Sequence, residues 1–487
     1  MARSRSRTAA RARSRAPTTP TPPPLPTSGE AATSGEFTGK YLVLLRDDGV
    51  KEGLQAIKDA AGLKEVCNAA DYEAAAVEMA DAEQAEVFVL DKLKVAVVDA
   101  DPTQLGGLQA AAAEDDGAIL AVEPERIMYA LSDPLAAQIP FEYLRGYKDA
   151  VDHLFTRLTG KAADEAAAEA AIALADTAQF TWGLQATRVD KSRFSGREVR
   201  VAVLDTGMDL DHPDFAGRVV PARTRSFVTG QAVNDLNGHG THCIGTSLGF
   251  RQLAGGARRY GCAFRGDIFV GKVLSNAGSG SDSGILAGIN WAVTNQCRVV
   301  SMSLGAPVQP GDTFSPIYEN VAQRALRSNP GTLIVAAAGN DSRIPGTNNR
   351  LEPPRPVGRP ANCPSIMAVG ALDANLAIGT FSNGGINPNG GGVDIAGPGV
   401  AVFSSVPDPF PPNVQPGGGG RPWPPRYHTI SGTSMATPHV AGIAAMWLEA
   451  RGRATSAQAL WQLLTGNARR LMLPSRDVGA GLVQAPV

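Results

Sequence analysis

Four apolar, β-branched runs most constrain what this chain can fold into: "VRVAVLD" (199–205), "DIFVGKVL" (267–274), "RVVSMSL" (298–304) and "TLIVAAA" (332–338). They alternate little between apolar and polar, which is the pattern of strands buried on both faces. Helical stretches lie between them, "SGILAGINWAVTN" (283–295) and "ENVAQRALRSN" (319–329). Strand–helix repetition from Gly196 onward predicts an α/β unit: a doubly wound, mostly parallel sheet with helices on both faces. In such sheets the functional cleft lies beyond the carboxyl ends of the strands.

At 487 residues the chain has room for two or three compact units. Apolar residues make up 43%, ample for a large core, and no apolar run approaches the ~20 residues of a membrane span. A net charge of -2 argues against the whole chain acting as a polyanion binder. Cys67, Cys243, Cys262, Cys297 and Cys363 are odd in number and scattered. That excludes a CxxC metal site and leaves disulfides open, with at least one thiol unpaired.

Residues 1–36 read as a disordered basic Arg/Ser/Pro arm, with six arginines in the first sixteen positions and no acid before Glu30. Contact of residues 1–30 with nucleic acid or another anionic surface is a second reading. The arm lacks the apolar core of a signal peptide. Residues 37–131 form a small α+β unit. "KYLVLL" (40–45) is a strand, "GLQAIKDAAGL" (53–63) a helix, and "AEVFVLDKLKVAVVDA" (85–100) two strands. "DPTQLGGLQAAAAE" (101–114) carries an Asp-Pro helix signal and "ILAVEPERIMYAL" (119–131) closes as a strand. The order β-α-β-β-α-β predicts a ferredoxin-like split βαβ sandwich. Residues 132–180, alanine-rich in "KAADEAAAEAAIALADTA" (161–178), read as a helical linker or an N-terminal extension of the second domain, which runs over 181–487.

Three stretches place polar residues where that sheet would have its cleft. In "VAVLDTGMDLDHPDF" Asp205 ends an apolar strand; taken alone, it reads as a turn residue before Gly207. In "NDLNGHGTHCIGT" His239 stands between Gly238 and Gly240 at a helix entry, which alone suggests close packing. In "GTSMATPHVAG" Ser434 begins a helix, and Pro438 is tolerated if it falls in the first turn. Ser434 or Thr433 as a plain N-cap is the innocent alternative. Together the three stretches supply an acid, a base and a nucleophile. A serine hydroxyl needs a base within hydrogen-bond reach, and the base needs a carboxylate to fix its tautomer. A helix N-terminus at Ser434 would also favour a developing oxyanion.

"VLDTGMD", "HGTHC" and "GTSMATPHVAG" resemble the signature motifs of the subtilisin-like serine proteases, the subtilases, over roughly residues 180–484. Cys243, four residues after the histidine, leans toward the proteinase K-like branch. The resemblance implies Asp205, His239 and Ser434 as the triad and, from "AAAGN", Asn340 as oxyanion donor beside the Ser434 backbone N–H. It implies Ser303, Leu304 and Gly305 ("SLG") as the strand that pairs with substrate, and Gly358 ("VGRP") in the specificity pocket, with room for a large apolar P1 side chain. Arg359 departs from the usual residue there. His242 and His439 read as packing residues.

Calcium is the implied cofactor, held by the carbonyls of Pro364 and Ile366 and the carboxylate of Asp394; none is implied for catalysis. Asp214 matches a ligand of a second site, but the loop "GFRQLAGGARRYGC" lacks the pattern that completes it. The Pro/Gly insertion 408–430 reads as a flap or an inert loop. By resemblance the chain is a monomeric, secreted endopeptidase acting on polypeptides. Residues 37–131 are then a prodomain that assists folding and inhibits until cleavage near "MYALSDP" (128–134). An α/β-hydrolase esterase needs another chain order of the triad and a G-x-S-x-G elbow. A catalytically silent binding protein on the same fold is the remaining alternative.

Overall fold

Capping chemistry sets the first helices. Asp101 accepts the N–H groups of Thr103 and Gln104 at 2.7 and 2.9 Å, the Gln104 side chain returns to the Asp101 N–H, and Pro102 opens the helix Pro102–Ala112. With the helix Val50–Ala61 it covers a sheet of β1 (Phe37–Leu45), β2 (Val66–Asn68), β3 (Val87–Leu90), β4 (Val95–Val98) and β5 (Ile119–Ala130). The order is β5-β1-β4-β3-β2, antiparallel except for the short edge strand β2, which runs parallel to β3. The four long strands follow the expected split βαβ order; β2 and the helix Met79–Gln84 are additions the sequence did not disclose. The structure is a computed structural model and describes residues 36–47, 49–131, 174–250, 258–309, 312–385, 390–410 and 425–487. The basic arm through residue 35, linker residues 132–173 and insertion residues 411–424 lie outside the described residues. The described part of the expected linker helix, 174–178, is irregular.

Both faces of this small sheet are apolar. Val43, Leu45, Val87, Val89, Ala96 and Val98 pack on the subdomain's own helices. The alternate residues Leu42, Leu44, Phe88, Leu90, Val95 and Val97 share a core with the rest of the chain.

The strands that follow are β6 (Arg200–Asp205), β7 (Thr224–Ser226), β8 (Asp267–Lys272), β9 (Ser279–Ser281), β10 (Val299–Met302) and β11 (Leu304–Gly305). Then come β12 (Leu333–Ala337), β13 (Met367–Leu372), β14 (Ile395–Pro398), β15 (Val402–Ser405) and β16 (Tyr427–Ile430). The main sheet has seven strands in the order β14-β13-β12-β10-β6-β8-β7, all parallel. The four apolar runs are β6, β8, β10 and β12, as expected, and each is buried on both faces. Val201, Val203, Leu333 and Val335 face the helices His239–Leu248 and Thr433–Arg451. Ala202, Leu204, Ile334 and Ala336 face Asp282–Thr294, Pro316–Arg327 and the outer face of the N-terminal sheet. Burying one Val, Leu or Phe side chain contributes about 1.5–3 kcal/mol, so the shared core is a substantial bond between the two parts. The order reverses at β6, which has β8 on one side and β10 on the other; that crevice is where an α/β sheet binds its ligand. All five cysteines are free thiols, which answers the open question of disulfides.

Candidate active site

Asp205 is the last residue of β6, at the reversal point. His239 opens the helix His239–Leu248. Its glycine neighbours are needed for close approach. Gly238 has φ +99°, and a Cβ at Gly240 would come within 2.3 Å of the Gly207 carbonyl oxygen. Asp205 Oδ1 and His239 Nδ1 are 2.7 Å apart, with both side chains 1% exposed. Burial alone would lower the imidazole pKa, but the Asp205 carboxylate outweighs it and the net shift is well upward. Cys243 is close by, its Sγ 3.9 Å from Nδ1. Burial pushes its thiol up to about 11, so at neutral pH it is uncharged and Asp205 is the charge that steadies the imidazolium.

Ser434 is the second residue of the helix Thr433–Arg451. Pro438 is not in the first turn, as the sequence reading required, but at the sixth position. A proline there leaves the carbonyl of Ser434 without its helical donor. The Ser303 hydroxyl donates to that carbonyl at 2.8 Å and the Cys243 thiol at 3.5 Å, which is why the helix tolerates it. Ser434 Oγ donates to the Ser303 carbonyl at 3.1 Å. His239 Nε2 is buried and makes no hydrogen bond among the described residues. The structure therefore joins Asp205 to His239 and leaves the serine hydroxyl turned toward Ser303.

β5 continues beyond its own sheet and lies antiparallel between β9 and β11. Ile127, Met128 and Tyr129 pair with Ser281, Gly280 and Ser279, while Tyr129 and Ala130 pair with Gly305 and Leu304. The Ala130 N–H donates to Gly278 at 2.9 Å and the Leu131 N–H to Ser303 at 3.3 Å. Asn340 Nδ2 donates to the Leu131 carbonyl oxygen at 2.7 Å. The other end of that amide is fixed: Asn340 Oδ1 accepts the Thr433 N–H at 3.0 Å and the Thr433 hydroxyl at 2.9 Å. Ser303, Leu304, Gly305 and Asn340 thus all meet one extended segment of the chain. A Cβ at Gly305 would lie 3.2 Å from the Leu131 side chain. Gly358 is held against the neighbouring backbone, where a Cβ would meet the Ala306 carbonyl oxygen at 2.7 Å.

Asp394 accepts the Ala368 N–H at 2.8 Å, and burial pushes its carboxyl up to about 7. It has no cationic partner among the described residues, so a hard cation beside it would supply the missing charge. Pro364 and Ile366 lie just before β13, which carries Ala368. Asp214 is differently placed: it accepts the hydroxyls of Tyr260 at 2.6 Å and Tyr427 at 3.0 Å. His242 and His439 are buried against the carbonyls of Val402 and Met435, with pKa values lowered to about 3 and about 4 by burial. Neither has the environment of a base.

Residues 196–481 match the model of the subtilase family, Peptidase S8. That match covers more than half of the chain. The chain belongs to the subtilase family. Among its relatives, subtilisin E of Bacillus subtilis (strain 168) is 34% identical over 279 residues, 56% of this chain and 62% of that protein. Subtilisin DY of Bacillus licheniformis is 36% identical over 266 residues, 54% of this chain and 82% of that protein. Alkaline elastase YaB of Bacillus sp. (strain YaB) is 39% identical over 269 residues, 54% of this chain and 59% of that protein. The chain thus spans less than two thirds of two of these relatives. Subtilases are subtilisin-like serine proteases, and the matched region of this subtilase holds Asp205, His239, Asn340 and Ser434 while excluding β1–β5.

Three acids at the junction escaped the sequence reading. Glu125 Oε1 accepts the Ser283 N–H at 2.8 Å. Glu123 Oε1 accepts the Ser315 hydroxyl at 3.1 Å and the Ile317 N–H at 3.2 Å. Both carboxylates from β5 therefore satisfy orphan donors at helix N-termini. Asp282 answers from the other side, accepting the Arg126 N–H at 2.8 Å. The only signal was the acid spacing in "AVEPERI", which reads as an ordinary solvent-facing edge.

Proposed function

We propose that this subtilase is a serine endopeptidase made as a zymogen, in which residues 37–131 are an inhibitory prodomain and Leu131–Ser132 is the first bond cut. One observation carries the reading: the Leu131 carbonyl oxygen already accepts from Asn340 Nδ2 at 2.7 Å, at the end of a strand paired as a substrate would be. The Ser303 carbonyl accepts both the Leu131 N–H and Ser434 Oγ, which brings the nucleophile beside the same residue.

Attack requires Ser434 Oγ to turn from Ser303 to His239 Nε2, the buried ring nitrogen that has no partner among the described residues. Such bonds commonly tighten only when the reacting complex forms. Oγ then bonds to the Leu131 carbonyl carbon as its proton passes to Nε2. Asp205 holds the imidazolium, and the oxyanion forms against Asn340 Nδ2 and the Ser434 N–H. Nε2 returns the proton to the leaving Ser132 amine as the C–N bond breaks. Water repeats the cycle on the acyl-enzyme. After release, polypeptides with a small residue before an aliphatic P1 residue are the substrates this groove fits, as Ala130 and Leu131 do.

Calcium would be held by Asp394 with the carbonyls of Pro364 and Ile366, supplying positive charge beside a buried carboxylate. Asp214 serves the fold through its two tyrosines. N-terminal sequencing of the wild type beside Ser434→Ala tests the proposal. A new terminus at Ser132 is expected in the wild type alone; identical full-length chains would overturn it.

A further inference from the structure

Asp235 is a buried carboxylate that neither attacks, binds substrate nor touches a base, yet it is the most heavily bonded side chain near the site. Its Oδ1 accepts the Thr206 hydroxyl at 2.9 Å and the N–H groups of Asn237 and Gly238 at 3.0 and 2.7 Å. Its Oδ2 accepts the Thr241 N–H at 2.8 Å and the Thr241 hydroxyl at 2.7 Å. These donors lie on both sides of His239 in the chain. Burying a carboxylate is costly unless its lone pairs are filled, and here they are.

Thr206 links this acid to the reacting pair. Its hydroxyl, while donating to Asp235, accepts the Gly240 N–H at 2.8 Å. Its own N–H donates at 2.7 Å to Asp205 Oδ1, the oxygen that meets His239. Gly240 and Thr241 carry first-turn N–H groups of the histidine helix, whose N-cap, Gly238, has no side chain to satisfy them. Lys272 closes the back of the cluster, its fully buried ammonium donating to the Thr206 carbonyl and, at 2.9 Å, to Asn276. Its positive charge faces both Asp235 and Asp205.

We infer that Asp235, acting through Thr206, is a positioning residue that fixes the backbone around His239 so that its ring meets Asp205 and presents Nε2 to Ser434. The inference rests on the proposed peptidase activity. Its strength follows from geometry: a displacement of about 1 Å at a reacting group can cost about 100-fold in rate. An asparagine at 235 keeps the volume but replaces one acceptor oxygen by a donor, facing N–H groups that also donate. The histidine turn then loosens, while the substrate strands β9 and β11 are untouched.

The test uses the processed enzyme, with active sites counted by a fluorophosphonate that labels Ser434. Asp235→Asn is expected to lower kcat per labelled site about 10- to 100-fold with KM changed less than about threefold. The acid limb of its kcat/KM profile should move to lower pH as Asp205 loses its hold on the ring. Thr206→Val should behave alike, whereas Thr206→Ser, which keeps the hydroxyl, should restore near-normal turnover. Wild-type kcat and an unmoved acid limb in Asp235→Asn would overturn the inference. If that variant does not fold, equal turnover of Thr206→Val and Thr206→Ser overturns it instead. A wild type that is neither labelled nor active overturns the peptidase reading and this inference together.

Discussion

The carboxylate of Asp282 accepts the backbone N–H of Arg126 at 2.8 Å, joining the first residue of a peptidase-domain helix to the strand proposed as the prodomain's exit. Burial pushes the Asp282 carboxyl up to about 7, opposed by the bonds from Arg126 and Tyr318 and reinforced by Glu125 and Glu123. Glu123 is shifted upward too, by burial, with Arg359 and Arg126 acting against it.

A pH dependence of inhibition follows. Without residues 37–131, Asp282 should titrate near the ordinary aspartate value of about 3.9. A pKa raised in the complex means that the complex takes up a proton. The extra affinity is then complete below about pH 4 and lost as pH rises to about 7. Prodomain inhibition, measured as Ki on the activated enzyme, should weaken between pH 5 and 7 by at most about tenfold per unit and level off above. Asp282→Asn should flatten the slope. Inhibition that strengthens with pH would contradict the sign.

Asn340→Ala removes the donor to the Leu131 carbonyl and nothing from Asp205 or His239. The expected loss is about 100- to 1,000-fold in kcat with KM little changed. Steady-state kinetics on active-site-titrated protein decides it. An equal loss from KM would instead mean that Asn340 only binds substrate.

Metal removal should show at Asp394 rather than at Asp214. A bound ion at 100 times its dissociation constant stabilises by about 2.7 kcal/mol. In a domain of this size, with about 2.1 cal/mol/K of unfolding entropy per residue, that is about 4 °C in Tm. Chelation should lower Tm by about that much in the wild type and not at all in Asp394→Asn. Asp214→Asn, whose amide oxygen still accepts from Tyr260 and Tyr427, should keep the calcium response.

The legible parts of this molecule were those with a local cause. β6, β8, β10 and β12 were readable because burial on both faces leaves an unbroken apolar run. Asp205 and His239 were readable because their motifs are contiguous, whereas the reversal of sheet order at β6 that puts Asp205 at the crevice was not. β13 and β14 were read for their possible ligands rather than as strands, since Gly370, Gly397 and Pro398 interrupt the apolar pattern. The place of Pro438 was misjudged because what accommodates it, the Ser303 hydroxyl, comes from far along the chain. The tyrosines on Asp214 and the junction acids were hidden for the same reason. Their partners are distant in sequence, and no local spacing encodes them.

The two faces of the N-terminal sheet allow a paired experiment on docking. Phe88 lies in the core shared with the peptidase domain, and its neighbour Val89 packs on the subdomain's own helices. Truncating a buried Phe to Ala typically costs about 3–5 kcal/mol, shared between lost transfer energy and the cavity left behind. For Phe88→Ala that cost falls on the complex, so a separately added 37–131 fragment should inhibit at least about 100-fold more weakly. Its own folding, followed by circular dichroism, should change little. Val89→Ala should do the reverse, lowering the helical signal of the free fragment while its ordered fraction inhibits normally. The pair is measured by Ki against activated enzyme and by thermal melts of the fragment alone. Equal effects of the two variants on Ki would mean that the outer face of the sheet does not hold the prodomain in place.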